Sequence, residues 1–228
     1  MAISIANKDS GSNAGNTPIA TTTSVAYQNS LLYLATVSTV SATAPTVSSI
    51  AGGGMTWVRV NGIASGNSNC ELWRGLVTSG ATTGVLTFTL SANPTNCAWS
   101  IDEVSGMDTS GTNGSGAIVQ SANGSGVAAL SGSVTLAAFG DATNNVAFGS
   151  FFHHTSEAST IDADSGYAAL TNAALGTNTG LLTEWKIGQD LAVDASWVTS
   201  SLWRAAAAEI KAAPAIVIPS LMMPPYRR

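Results

Sequence analysis

The sequence predicts an all-β protein: a two-sheet antiparallel β-sandwich of jelly-roll type, followed by an extended proline-rich C-terminal arm. Three observations carry that expectation. Short runs rich in Val, Ile, Thr, Leu and aromatic residues recur between clusters of Gly, Asn, Ser and Pro, the signature of strands and turns. Some runs alternate cleanly: in 85–91 (VLTFTLS), Val85, Thr87 and Thr89 face one way and Leu86, Phe88 and Leu90 the other, as in a half-buried strand. No amphipathic helix separates the runs, so nothing suggests the βαβ alternation of a parallel sheet.

Taken in order, strands are expected near 19–27, 31–39, 47–51, 55–62, 69–77, 85–91 and 97–105, then near 117–122, 127–137, 145–153, 181–187, 192–198 and 202–212. The last run, LWRAAAAEIKA, is open between a helix, favoured by its alanines, and a closing strand, favoured by the Trp-bearing strand and Ser-Ser turn before it. The connection 106–126 (GMDTSGTNGSGAIVQSANGSG) reads as a long surface excursion with at most one short strand, and no domain boundary falls there. Residues 1–213 therefore form one domain. The chain beyond is different in kind: 214–228 (PAIVIPSLMMPPYRR) holds four prolines, which forbid a helix and disfavour a central strand. Yet Ile216, Val217, Ile218, Leu221, Met222, Met223 and Tyr226 are strongly apolar. Such a segment is expected to lie extended on a surface, as an arm.

Composition narrows the function. Only 9% of the 228 residues are charged, against roughly 25% in an ordinary globular domain, so neutral Ser, Thr, Asn and Gly must cover most of the surface. A weakly charged protein tends to associate. The net charge of −5 is uneven: four basic residues against twelve acids in 1–200 give −8, and four against one in 201–228 give +3. An acidic body is poorly suited to nucleic acid, which needs Lys and Arg clustered on one folded face. A basic tail suits docking onto an acidic neighbour. No stretch reaches the ~20 apolar residues needed to cross a membrane, and no signal peptide is visible, so synthesis and folding in a cytoplasm are expected. Cys70 and Cys97 lack any zinc-like spacing and read best as small buried thiols, although a bridge is conceivable.

Candidate chemistry is thin. Asp102 and Glu103 invite comparison with paired glycosidase carboxylates, but neighbours in a strand point to opposite faces and cannot flank one bond. His153 and His154, with Glu157, Asp162 and Asp164 nearby, lack metal-ligand spacing, and 162–164 lacks the rest of a calcium loop. No GxSxG elbow and no phosphate loop is present. The six tryptophans (Trp57, Trp73, Trp99, Trp185, Trp197 and Trp203) are spread about one per strand and read as packing residues rather than a sugar platform. The expectation is a non-enzyme with no cofactor and no metal.

Three motifs in the central run carry a resemblance: Glu71-Leu72-Trp73, Thr87-Phe88-Thr89 and the turn Ser105-Gly106-Met107-Asp108. With the closing WVTSSLWRAAAAEIKAA, they make residues 25–213 resemble a β-sandwich module of bacteriophage and prophage structural proteins. The resemblance implies a virion part: a head decoration (cement) protein, a head fibre or a tail module. No catalytic or ligand residue is implied by it. The resulting expectation is a capsid decoration subunit located in the virion, binding the major capsid protein or other virion proteins and forming homo-oligomers, with neither nucleic acid nor membrane as partner. The alternative is a carbohydrate- or receptor-binding module of a tail fibre or surface appendage. The arm lies outside the resembling region. On physical grounds alone, Pro214, Ile216, Val217, Ile218, Leu221, Met222, Met223, Tyr226, Arg227 and Arg228 are the expected protein interface.

Overall fold

The computed structural model describes every residue except 1, 22, 155–160, 176–178 and 215–228. Its strands are β1 (Ser4–Asn13), β2 (Ile19–Ala20), β3 (Val25–Ala26), β4 (Leu32–Val40), β5 (Val47–Ala51), β6 (Trp57–Ser65), β7 (Ser68–Leu76) and β8 (Thr83–Gly84). They continue with β9 (Thr87–Leu90), β10 (Asn96–Ser105), β11 (Ile118–Thr135), β12 (Val146–His154), β13 (Asp162–Ala163), β14 (Ala168–Leu175), β15 (Thr179–Ile187) and β16 (Ala192–Ile210). One 3-10 segment, Thr112–Ala117, precedes β11. The protein is thus almost wholly β, in several antiparallel sheets.

Two sheets dominate. The first has the order β1-β10-β4-β7-β6 and the second β11-β16-β12-β15-β14, with the two-residue β13 paired to β16 off this path. Counting the five strands of each path along the chain, both orders read 1-5-2-4-3. The central strands match as well. All nine residues of β4 pair with both β7 and β10, and all nine of β12 pair with both β15 and β16. Equivalent positions even carry the same residue: Glu103 pairs with the second residue of β4, and Glu209 with the second residue of β12. The chain is therefore built from two halves of one topology. The halves meet with their orders reversed, β1 beside β14, β10 beside β15, β4 beside β12, β7 beside β16 and β6 beside β11.

Alternation along each strand explains why both central strands are buried on two faces. From β4, Leu32 and Leu34 point between the sheets to meet Phe148, Val104 and Ile210. Tyr33, Ala35 and Val37 point the other way, to Trp57, Trp73, Phe88 and Trp99. The small sheet β2-β9-β5 helps to cover that outer face, contributing Ile19, Val47, Ile50, Phe88 and Leu90. The outer face of the second sheet is covered differently. The register between β11 and β16 slips three times, once near Ile118 and twice at the bend, where Gly126 pairs Trp203, Ala129 pairs Ser201 and Ser131 pairs Ser196. Beyond these bulges, which bend a strand pair, Val134, Val193, Ala195 and Trp197 pack with Phe151, Leu182 and Ala205. Each large aliphatic or aromatic side chain so buried stabilises the fold by about 1.5–3 kcal/mol.

Two expectations change here. Residues 118–135, expected as two separate strands near 117–122 and 127–137 with the end of the surface excursion between them, form one continuous strand of 18 residues. Its glycines are required for close approach: a Cβ at Gly132 would stand 2.8 Å from the Trp203 ring, and one at Gly124 would stand 3.0 Å from it. The run open between helix and strand is a strand, continuous with 192–198. Ala205–Ala208 are fully buried on both faces, and small residues there leave room for Phe148 and Phe151 of the adjacent strand β12. Strands β1, β8, β13 and β14 had no counterpart among the expected runs.

Candidate functional site

The chain leaves the described fold at one end of the sheets, and its exit is firmly built. Past β16, Met107 and Ala212 form an antiparallel bridge, Asp108 N–H donates to the Lys211 carbonyl (2.9 Å) and Ala213 N–H to the Gly106 carbonyl (2.9 Å). Lys211 Nζ donates to Asp108 Oδ2 at 2.8 Å, and this ammonium, with Ser110, holds the Asp108 carboxyl down at about 2. Asn145 Oδ1 accepts from Ala212 N–H (3.0 Å) while its amide donates to Glu209 Oε1 (2.5 Å). Glu209, fully buried, also accepts from Gly140 N–H (2.9 Å) and Gln120 Nε2 (2.8 Å). The paired segments 106–108 and 211–213 follow the last strand of each half, so the two halves are tied together where the chain exits.

Beside this exit lies an open groove of about 800 Å³. Ile3, Ile118, Val119, Ile187, Ala213 and Pro214 give it an apolar wall, and Asp141, Asn144 and Lys211 a polar one. Val119 and Ile187 are 45% and 51% exposed there, both on the apolar wall of the same groove. Of the expected interface residues, Pro214 is described, exposed and part of this wall. Ile216, Val217, Ile218, Leu221, Met222, Met223, Tyr226, Arg227 and Arg228 lie outside the described residues.

A second apolar patch crowns the bend of the two longest strands. Val127, Leu130 and Val198 are 74%, 55% and 80% exposed there. β11 contains no charged residue and no proline over its whole length and is a sheet edge, so it lacks two of the usual guards against pairing with another chain.

The remaining candidates resolve individually. Asp102 and Glu103 point to opposite sides, as expected. Asp102 is fully buried between the sheets, taking hydrogen bonds from Asn7 Nδ2 (2.9 Å) and Ser100 Oγ (3.1 Å). Burial pushes its carboxyl up to about 6, opposed by hydrogen bonds from Asn7, Ser100 and Thr183. Glu103 accepts from Tyr33 Oη at 2.5 Å and pairs with Lys8 at 2.9 Å. His153 is buried with its ring stacked on Trp197 at 5.6 Å, which places it in the interior rather than at a polar strand end. His154 is partly buried, and burial lowers its pKa. Glu157 lies outside the described residues. No group of three His, Cys, Asp or Glu side chains among the described residues is placed to hold a metal. Trp57, Trp73 and Trp99 are buried as expected, together with Trp197 and Trp203, while Trp185 is partly buried against the core between the sheets. Cys70 and Cys97 are both free and buried. They point to opposite faces of one sheet, into different hydrophobic clusters.

Sequence reasoning passed over Glu184 and the groove walls. Glu184 is fully buried, its Oε2 accepts from Asp164 N–H (3.2 Å) and its Oε1 meets no donor among the described residues. Burial first, and then the charges of Asp164, Asp194 and Asp190, push its carboxyl up to about 8. The signal was present in LLTEWKI: period-two alternation puts Glu184 on the face of Leu182, a core residue. The groove walls come from five separate parts of the chain, and no local pattern announces them.

Comparison with known proteins finds no matching family model, no matching curated protein and no matching solved structure. Among the described residues, no helix is long and apolar enough to cross a membrane.

Proposed function

We propose that this chain is a structural subunit of a bacteriophage particle, most simply a head decoration protein that binds the shell and neighbouring copies through its C-terminal arm. The observation that carries this reading is the exit at Pro214. A rigidly tied chain end opens beside an apolar groove, and the 14 residues beyond it include seven bulky apolar ones. The neutral, proline-free edge β11 with Val127 and Leu130 exposed adds a second surface suited to subunit contact. On this reading the two large sheets form a sandwich. Its connectivity differs from the expected jelly roll, whose strands interleave between two sheets, because here each large sheet draws its strands from one half of the chain. The glycan-binding alternative needs aromatic rings open to solvent, and burial of five of the six tryptophans weighs against it.

The test is deletion of 215–228, followed by incubation with phage heads lacking the native protein and counting of bound copies by mass spectrometry against the major shell protein. Loss of binding with an unchanged melting temperature supports the reading. A destabilised monomer that still binds refutes it.

A further inference from the structure

The groove beside the exit encloses about 800 Å³, and its wall already includes Pro214, the residue from which the chain continues. We propose that this groove seats the first apolar run of the arm, residues 215–218 (AIVI), of the same chain, and so fixes the direction in which the rest of the arm projects. The inference rests on the proposal that the arm is a docking segment, and adds the place where its root is held.

Reach, stiffness and chemistry agree on this occupant. Four extended residues span at most about 14 Å, so a run beginning at Pro214 cannot travel far from the wall that Pro214 helps to form. A short tether gives the segment an effective concentration in the millimolar range at a site it can reach, well above what a free second copy would provide in dilute solution. Pro214 and Pro219 bracket the run, each with its φ held near −65°, which limits the conformational freedom lost on docking. The groove offers what Ile216, Val217 and Ile218 lack: the half-exposed side chains of Val119 and Ile187, over a floor that includes the buried Ile3. At about 800 Å³ it is within the ~300–1,000 Å³ range of sites that enclose compact ligands.

The polar wall sets the limits of the seat. Lys211 is already paired with Asp108 at 2.8 Å, and Asp141 accepts from Thr143 and Asn144 N–H at 3.0 Å each. Neither charge therefore asks for a partner from the run, which has none to offer. Arg227 and Arg228 lie nine and ten residues beyond Ile218, free on this scheme to meet an acidic neighbour about 30 Å farther along an extended chain.

The test uses full-length protein with one cysteine at Val119 and one at Val217, treated with a short bismaleimide. Cys70 and Cys97 are buried, with their thiols held up at about 11 and about 12, and stay unmodified in the folded protein. The expected product is an internal cross-link, seen as a peptide joining 119 to 217 within a species of monomer mass. A dimer-mass product would assign the groove to a second copy and overturn the proposal, as would absence of any 119–217 peptide. A second variant gives an independent readout: Ile187→Asp, at a half-exposed position, should leave the melting temperature within a degree or two and speed proteinase K cleavage within 215–226 by at least tenfold. Unchanged cleavage would count against the seat. Failure of the deletion variant to lose head binding would leave the internal cross-link standing, so the two ideas fail separately.

Discussion

Glu184→Gln is the perturbation that most directly interrogates the interior. The wild-type carboxyl sits fully buried on β15 with one oxygen lacking a donor and with Asp164, Asp190 and Asp194 adding negative charge around it. Its folded value of about 8 stands above the ordinary 4.5. A raised carboxyl means that the folded state binds the proton more tightly than the unfolded chain, so stability is present in full below 4.5 and is lost as pH rises through about 8. The whole loss amounts to roughly 4–5 kcal/mol, since each pKa unit is worth about 1.4 kcal/mol. About 2–3 kcal/mol of it falls between pH 6 and 8.5. Asp102, raised to about 6, sheds most of its own contribution below that window. For a chain of this size the loss corresponds to a fall in melting temperature of about 5–10 °C. Thermal scans of wild type and Glu184→Gln at pH 6, 7 and 8.5 provide the assay. Wild type should weaken steadily with pH, and the variant, which carries no ionisable group there, should be much flatter. A wild-type melting temperature that is constant or rises over this range, or a variant that falls in parallel with it, would refute the reasoning.

Two further predictions concern packing. Trp99 is fully buried among aromatic neighbours and its Nε1 donates to Asp9 Oδ2 at 2.9 Å, so Trp99→Ala should cost about 3–5 kcal/mol in urea unfolding; an unchanged midpoint would contradict its place in the core. Gly132→Val would drive a branched side chain into the Trp203 ring 2.8 Å away, and a loss of about 1–3 kcal/mol with altered tryptophan fluorescence is expected, whereas a silent substitution would mean that β11 does not lie over that ring.

How much of this was legible in the sequence depended on whether the determining contact was local. Strand 47–51 was read to the residue, and 31–39, 69–77 and 97–105 to within one position at each end, because β-branched and aromatic alternation is a local signal. Strand β1 (SIANKDSGSN) carries almost no such signal. It forms because its backbone completes the edge beside β10, with a bulge at Lys8, and because Asn7 reaches Ser100, Asp102 and Thr171. The glycine-rich stretch in β11 looked like a loop for a related reason: its glycines answer to the Trp203 ring, 70 to 80 residues away in sequence. The same holds at the candidate site. The apolar arm was conspicuous from composition, but the groove wall draws Ile3, Ile118, Ile187 and Pro214 together from the whole length of the chain.

The shared strand order of the two halves also indicates where to look for function. Where two equivalent five-strand paths differ, the difference is not dictated by the common architecture. The outer face of the first is covered by separate short strands, and that of the second mainly by the bent continuations of its own β11 and β16, with the short β13 paired onto β16. After the last strand of the first half, residues 106–108 turn back into the fold through the 3-10 segment toward β11. After the last strand of the second, the equivalent stretch pairs with them and then departs at Pro214. The bend of the long strands exposes Val127, Leu130 and Val198, and the departure point exposes Val119 and Ile187. Among the described residues, five of the seven large apolar side chains that face solvent thus fall where the second half departs from the first, or at its exit. Their gathering there is what the contact surface proposed above requires.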